Sequence, residues 1–453
     1  MTDDVQPNPQ QAAQKLFSDA KDAMLEVSRQ IAGAKETLKD YMATQHLDIN
    51  NKDDVETAKK KYQASLKVTV VDDPRVPGAN ELMEKMYGLY TATFPIPEER
   101  EELAKLKDLL TKNHDAALQA HGAPFKEQWI MVQDASGEVV AATNIITFSA
   151  AKDPKVASEV DGTTHLTYIF VDPRYRSLGL GDFALKNAED EARKVVAATY
   201  NPPRDPSTVD LVQIAEQNAP LELTLSSSLT DTAGAKIDQF YRRKYFEGLG
   251  FRELGFHYTQ LPLEPRDQGG EPGEGMNLIV RGLPAPDSHR NIPHIMTSLS
   301  SDALRFHLYN FFDRSVAAGQ YEIESDPDWI RQAGALHGQL KVKPSLDFMS
   351  LQKKSWDFVD KYVHGKTFNA DEFENAPLGK LMQVNEIPAL QMNFKLPAAK
   401  ADFCAAASPE IAPPVSPTTR RAASAMTPVR QHRPPATQHS DIVPDFAAAR
   451  VSR

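Results

Sequence analysis

Leu16, Ala20, Met24, Val27, Ile31, Ala34 and Leu38 follow one another at steps of four or three, a spacing that predicts an amphipathic helix over 9–41. The stripe suits packing on the rest of the chain or pairing with a second copy in a homo-oligomer. From Ser65 the period shortens. Residues 66–71 read as a strand stopped by Asp73 and Pro74, after which Asn80 caps a helix reaching Tyr90. A helix rich in Glu and Lys is expected over 98–120. Strands over 129–132 and 139–148 flank the turn Asp134-Ala135-Ser136-Gly137 as a hairpin. A further strand, 164–171, ends at Asp172-Pro173 and passes through a turn with two glycines into a helix reaching 198.

After the Pro-rich connection 201–206, the pattern predicts a buried strand over 221–225 and a helix capped by Asp231 or Thr232 and running to 248. A strand pair over 251–260 and 276–281 closes the series. Strands and helices thus alternate through roughly 220 residues, which is one α/β domain. Past Pro293, Leu304, Leu308, Phe311, Phe312 and Val316 share a helical face, and further helices are expected over 328–338 and 345–363. From Ala398 the chain turns to Ala, Pro, Ser, Thr and Arg, the composition of a disordered tail. The expected organisation is a helical extension (1–64), an α/β domain (65–285), a helical region (286–397) and the tail (398–453).

Composition adds exclusions. With 41% hydrophobic and 25% charged residues the chain is globular on average. No stretch approaches the ~18 uncharged apolar residues of a membrane span, and the N-terminus lacks the basic and apolar blocks of a secretory signal, so a cytoplasmic protein without membrane contact is expected. The single cysteine, Cys404, rules out an internal disulfide and a cysteine zinc site. His114, His121, His289 and His294 lack metal-ligand spacing, so no metal is expected. Net charge is −11, and the residues from Ala401 onward carry six Arg against four acids, which leaves the body more acidic still. Such a body repels nucleic acid and suits a cationic acceptor.

The chemistry concentrates where the strand over 164–171 turns into its helix. Glycines at the first turn of a helix let unpaired backbone N–H groups approach an anion, and the helix dipole adds a favourable field, so Gly179 and Gly181 form an anion cradle suited to a pyrophosphate. The turn lacks the Gly-Lys-Ser/Thr of a P-loop and does not open a parallel βαβ series as a dinucleotide fingerprint does. With its flanks, Tyr168-Ile169-Phe170-Val171-Asp172-Pro173-Arg174-Tyr175-Arg176-Ser177-Leu178-Gly179-Leu180-Gly181 resembles the acyl-CoA motif of the GNAT superfamily of N-acyltransferases: a Val-x-Pro strand exit, then Gln/Arg-x-x-Gly-x-Gly/Ala. Phe246-Glu247-Gly248-Leu249-Gly250-Phe251-Arg252 is similar to the family's second motif, ending in Leu-Gly-Phe, and the order of elements over 65–282 also looks like that fold.

The resemblance implies an α/β fold with a mixed central sheet flanked by helices. It implies acetyl-CoA as donor and an amine acceptor, on a small molecule or a protein, that attacks directly in a ternary complex. Arg176, Ser177 and the backbone amides of Leu178, Gly179, Leu180, Gly181 and Asp182 would then hold the diphosphate. Main chain at Ile169, Phe170 and Val171 would pair with the pantetheine arm, and an N–H near Val171 would face the oxyanion. One branch of the family places a Glu base eleven residues before the Gln/Arg of the motif. Here that position is His165, which strict alternation would put on one face with Thr167, Ile169 and Val171. The family's acid is a Tyr four residues before the Gly-Phe glycine. Phe246 holds that place, leaving Tyr245 beside it and Tyr241 one turn earlier as candidate acids. This departure keeps a second reading open, a GNAT-fold scaffold that binds CoA without turnover. Phe94-Pro95-Ile96-Pro97 falls where the family builds its acceptor pocket, and Arg242-Arg243-Lys244 suits either an adenosine phosphate or a solvated helix face.

Overall fold

The computed structural model describes residues 8–384 apart from 95–99, 117–118, 120–121, 177, 263–264, 274, 289, 291 and 317–320, together with the backbone of 448–450. One mixed sheet runs in the spatial order β1 (Lys67–Val71), β2 (Phe125–Gln133), β3 (Val139–Ser149), β4 (Gly162–Val171), β5 (Leu211–Asn218), β7 (Met276–Leu283) and β6 (Arg252–Glu253). β4 and β5 are parallel, and every other neighbouring pair is antiparallel. The α/β class expected from the pattern is the class observed.

β5 is the strand that the pattern misplaced. Residues 221–225 form a turn leading into a helix, and Leu211–Asn218 take the strand position instead. Gln213, Glu216 and Gln217 interrupt its apolar run, yet each is buried with a partner: Arg281, Tyr258 and Arg243 respectively. The single helix expected up to 248 is two helices, α6 (Leu225–Ala235), capped by Thr224, and α7 (Gln239–Gly248), capped by Asp238. Lys236, with a left-handed φ of 54°, separates them. The Glu- and Lys-rich helix is shorter than expected, spanning α4 (Leu103–Thr111) and one 3₁₀ turn.

The helix after the glycine turn, α5 (Leu180–Ala198), packs with α7 on one face of the sheet, burying Leu185, Ala188, Ala192, Val196 and Phe246 against Ile130, Ile145, Leu166 and Ile169. The other face is covered by α3 (Ala79–Thr93) and α4 near β1–β3, and by α8 (Ser301–Phe311) near β3–β5. The helices expected after residue 293 are present as α8, α9 (Pro327–Ala335) and α10 (Phe348–His364).

α1 (Pro9–Thr44) uses its apolar stripe on its own chain. Ala13, Phe17 and Ala20 pack on α6, α7 and α10, while Leu38 and Met42 pack with Ala58 of α2 (Lys52–Ala64) on Leu178, Leu180 and Ala184. Of the tail expected to be disordered, only Ala448–Arg450 lie among the described residues, and their backbone pairs antiparallel with Tyr168–Phe170 of β4.

Candidate active site

Two features of β4 open the sheet at its centre. Pairing with β5 begins at Gly162↔Leu211 and ends at His165↔Ile214. A bulge follows: Asn144 of β3 faces Tyr168 and Ile145 faces Leu166, so Thr167 is the extra residue. Beyond this fork the two strands separate, and the β4 edge from Leu166 onward offers its peptide groups to another extended backbone. In this structure Ala448–Arg450 lie along that edge.

The cradle stands at the end of the same strand. Asp172 holds the turn after β4 by accepting from the Arg174 backbone N–H at 2.9 Å. Gly179 then adopts a left-handed φ of 70° as the N-cap of α5, with no side chain capping the helix. Helices α1, α2, α6, α7, α8, α9 and α10 begin on a capping Asn, Asp, Ser or Thr side chain, while α3 and α4, like α5, do not. An uncapped first turn leaves its N–H groups for a ligand, and at α5 these face a groove. The first intrahelical bond across the turn runs from Phe183 N to Gly179 O at 3.0 Å.

These amides open onto a groove of about 380 Å³ whose lining includes Ile169, Phe170, Val171, Arg176, Gly179 and Leu180. Gly181, Asp182, Tyr241 and Tyr245 line it as well, so ten of the residues singled out from the sequence meet in one place. Leu178 is buried beneath the turn, and Ser177 lies outside the described residues. A Cβ on Gly181 would run into the Tyr245 hydroxyl, so glycine there leaves room for that group. Burial, and next the negative charge of Asp182, push the Tyr245 phenol well above its ordinary pKa of 10 and keep it protonated. Burial also raises the Asp182 carboxyl, with Lys59 and Arg281 pulling the other way.

His165 is not at this groove. The extra residue at Thr167 breaks the alternation: Ile169 packs with Leu166 toward α5, while His165 turns to the opposite face. There its ring stacks on Phe311 with centroids 3.7 Å apart, and its Nδ1 lies 3.1 Å from Nε2 of His307. His307 Nδ1 is 2.9 Å from Thr163 Oγ1, and burial pulls the His307 pKa down to about 3. Arg242 and Arg243 do not reach for a ligand either; they are buried ion partners of Asp231 (3.1 Å) and Glu253 (2.5 Å). Phe246 is a core residue, and Pro95, Ile96 and Pro97 lie outside the described residues.

Glu216 is the group that sequence reasoning missed. It is fully buried on β5, two residues past the last β4 pairing partner, and accepts a hydrogen bond from the Tyr258 hydroxyl. It shares the α8-side face of the sheet with Ile214 and Tyr258 and does not line the groove, so it stands across the fork from the α5 amides. The signal lay in the run Leu211-Val212-Gln213-Ile214-Ala215-Glu216, read as strand rather than connection. Among the described residues, no group of three or more His, Cys, Asp or Glu side chains is placed to hold a metal, and no helix is long and apolar enough to cross a membrane.

Residues 83–207, from within α3 to just past α5, match the family model of the GNAT acetyltransferases. The matched stretch carries β4 and the cradle and lies within a longer chain, while β5, the other side of the fork, falls just beyond it. The structure also has a likeness to an acetyltransferase of the GNAT family from Staphylococcus aureus Mu50, at 17% identity and a TM-score of 0.25, covering 48% of this chain and 99% of that one. No curated protein matches the chain.

Proposed function

We propose that the protein is an N-acyltransferase that moves an acetyl group from acetyl-CoA to an amine. The observation that carries this reading is that an uncapped helix N-terminus and the β4 edge beyond the fork line the same groove. The amides at Gly179–Asp182 and the Arg176 guanidinium take the diphosphate, and the β4 backbone at Ile169–Val171 pairs with the pantetheine arm, in the place that Ala448–Arg450 take here. The thioester then lies by the fork. Attack by the amine nitrogen forms the C–N bond and breaks C–S; Glu216 takes the proton lost by the amine, and the protonated Tyr245 hydroxyl gives one to the leaving thiolate. An acidic chain, −11 overall, draws a cationic amine toward itself. Direct attack needs no nucleophilic side chain.

A competing reading, CoA binding without turnover, draws on Phe246, which puts a core ring where the family's acid hydroxyl is expected. The test is release of free thiol from acetyl-CoA in the presence of a panel of amines, with mass spectrometry of the products. Thiol release matched by acetylated amine is the expected result. Thermal stabilisation by acetyl-CoA with no release from any amine would leave only the binder, and no stabilisation would remove both.

A further inference from the structure

The donor groove has a wall that the matched stretch does not supply. Among the residues that line it are Val27 and Ile31 of α1 and Lys59 of α2, all from the extension before β1. Each has a local reason to be there. α1 is anchored at both ends, through Ala13, Phe17 and Ala20 on one side and Leu38 and Met42 on the other. Its middle bridges between these anchors. Val27 and Ile31 belong to neither cluster; they pack on one another and face the groove. Two apolar side chains that line a groove are suited to an apolar ligand segment.

α2 bears on the cradle itself. Gln63 Nε2 donates to the carbonyls of Leu178 and Gly179 at 3.0 and 3.3 Å, which ties α2 to the turn. One turn earlier, Lys59 reaches so close that its Cδ would stand 3.7 Å from a Cβ on Gly179. Its ammonium lies 2.7 Å from Glu56, a neighbour on the same helix, and its field acts on Asp182 in the first turn of α5. An i,i+3 pair at a surface is worth little and yields readily to a stronger anion. The cradle amides and Lys59 together make a two-sided site for a diphosphate.

We infer that the two N-terminal helices are part of the donor site, with Lys59 contributing the side-chain cation for the diphosphate of acyl-CoA and Val27 and Ile31 forming the apolar wall along its pantetheine arm. The inference rests on the donor reading above and adds that the groove is incomplete without residues 1–64. The full-length protein tests it by calorimetric titration with acetyl-CoA at several salt concentrations. Lys59→Met is expected to weaken binding about tenfold, as loss of one charge-assisted contact does, and to flatten its salt dependence. Val27→Gln with Ile31→Gln is expected to weaken binding by a similar factor with the salt dependence unchanged. Lys60→Met and Leu25→Gln, on faces turned away from the groove, serve as controls. Hydrogen exchange on the unaltered protein gives a readout independent of any variant: acetyl-CoA is expected to slow exchange over 24–33 and 55–63. If the protein binds acetyl-CoA while all variants match the controls and 24–33 exchanges as before, the helices are not part of the site. If the unaltered protein does not bind acetyl-CoA at all, the donor reading falls and takes this inference with it.

Discussion

His307 shows what burial does to a single titratable ring. It has no exposed surface, its pKa is held near 3 by desolvation, and its two nitrogens are engaged by His165 and Thr163. In the unfolded chain the ring would titrate near its ordinary 6.5. Below that pH the unfolded state therefore binds more protons than the folded one, and stability is lost as pH falls from 6.5 toward 3, by up to ~1.4 kcal/mol per pH unit. Chemical denaturation at pH 7 and pH 4.5 checks this. His307→Gln keeps hydrogen-bonding capacity without titrating and is expected to flatten the decline, whereas an unchanged slope would assign the acid sensitivity elsewhere. At the same scale, Gly179 and Gly181 earn their identity by different means, one by its left-handed backbone and one by the phenol that fills its missing Cβ position.

Among the elements, β4 decides the site, because it both bulges at Thr167 and parts from β5 after His165. Glu216 is the proton acceptor of the proposed reaction, so Glu216→Gln is expected to lower kcat by ~10²-fold or more. Acetyl-CoA affinity should stay within about twofold, because the contacts that hold the donor dominate ground-state binding. Full activity would remove Glu216 from the mechanism. The cradle was legible in the sequence because its parts are adjacent along the chain: strand exit, two glycines and helix need no partner to be recognised. His165 was assigned to the groove because alternation assumes an unbroken strand, and a bulge is set by the register with β3, which is non-local. β5 was hidden for a related reason. Its polar residues find Arg281, Tyr258 and Arg243 only once the sheet and its flanking elements have assembled. The two helices α6 and α7 read as one because the break is short, Lys236 to Asp238, and opens on a left-handed Lys, a residue type that ordinarily favours helix.

Across the whole molecule, the sheet that carries the cradle is held from both sides by what precedes and follows it. α8 covers the sheet face opposite α5 and buries His165, while α10 packs on α1 and α7 and so connects the extension to the helix that carries Tyr241 and Tyr245. The extension in turn grips the cradle through Gln63 and Leu38. The extension, the cradle and α7 meet at one groove, where the thioester donor is proposed to bind. The direct measurement is isothermal titration of acetyl-CoA into the full-length protein and into Gly179→Glu, with circular dichroism to confirm that both are folded. Saturable binding by the unaltered protein, lost when a side chain and a negative charge are placed at the left-handed N-cap, is the predicted result. Equal affinity in the two folded proteins would contradict it, since no diphosphate could then be resting on the amides at the start of α5.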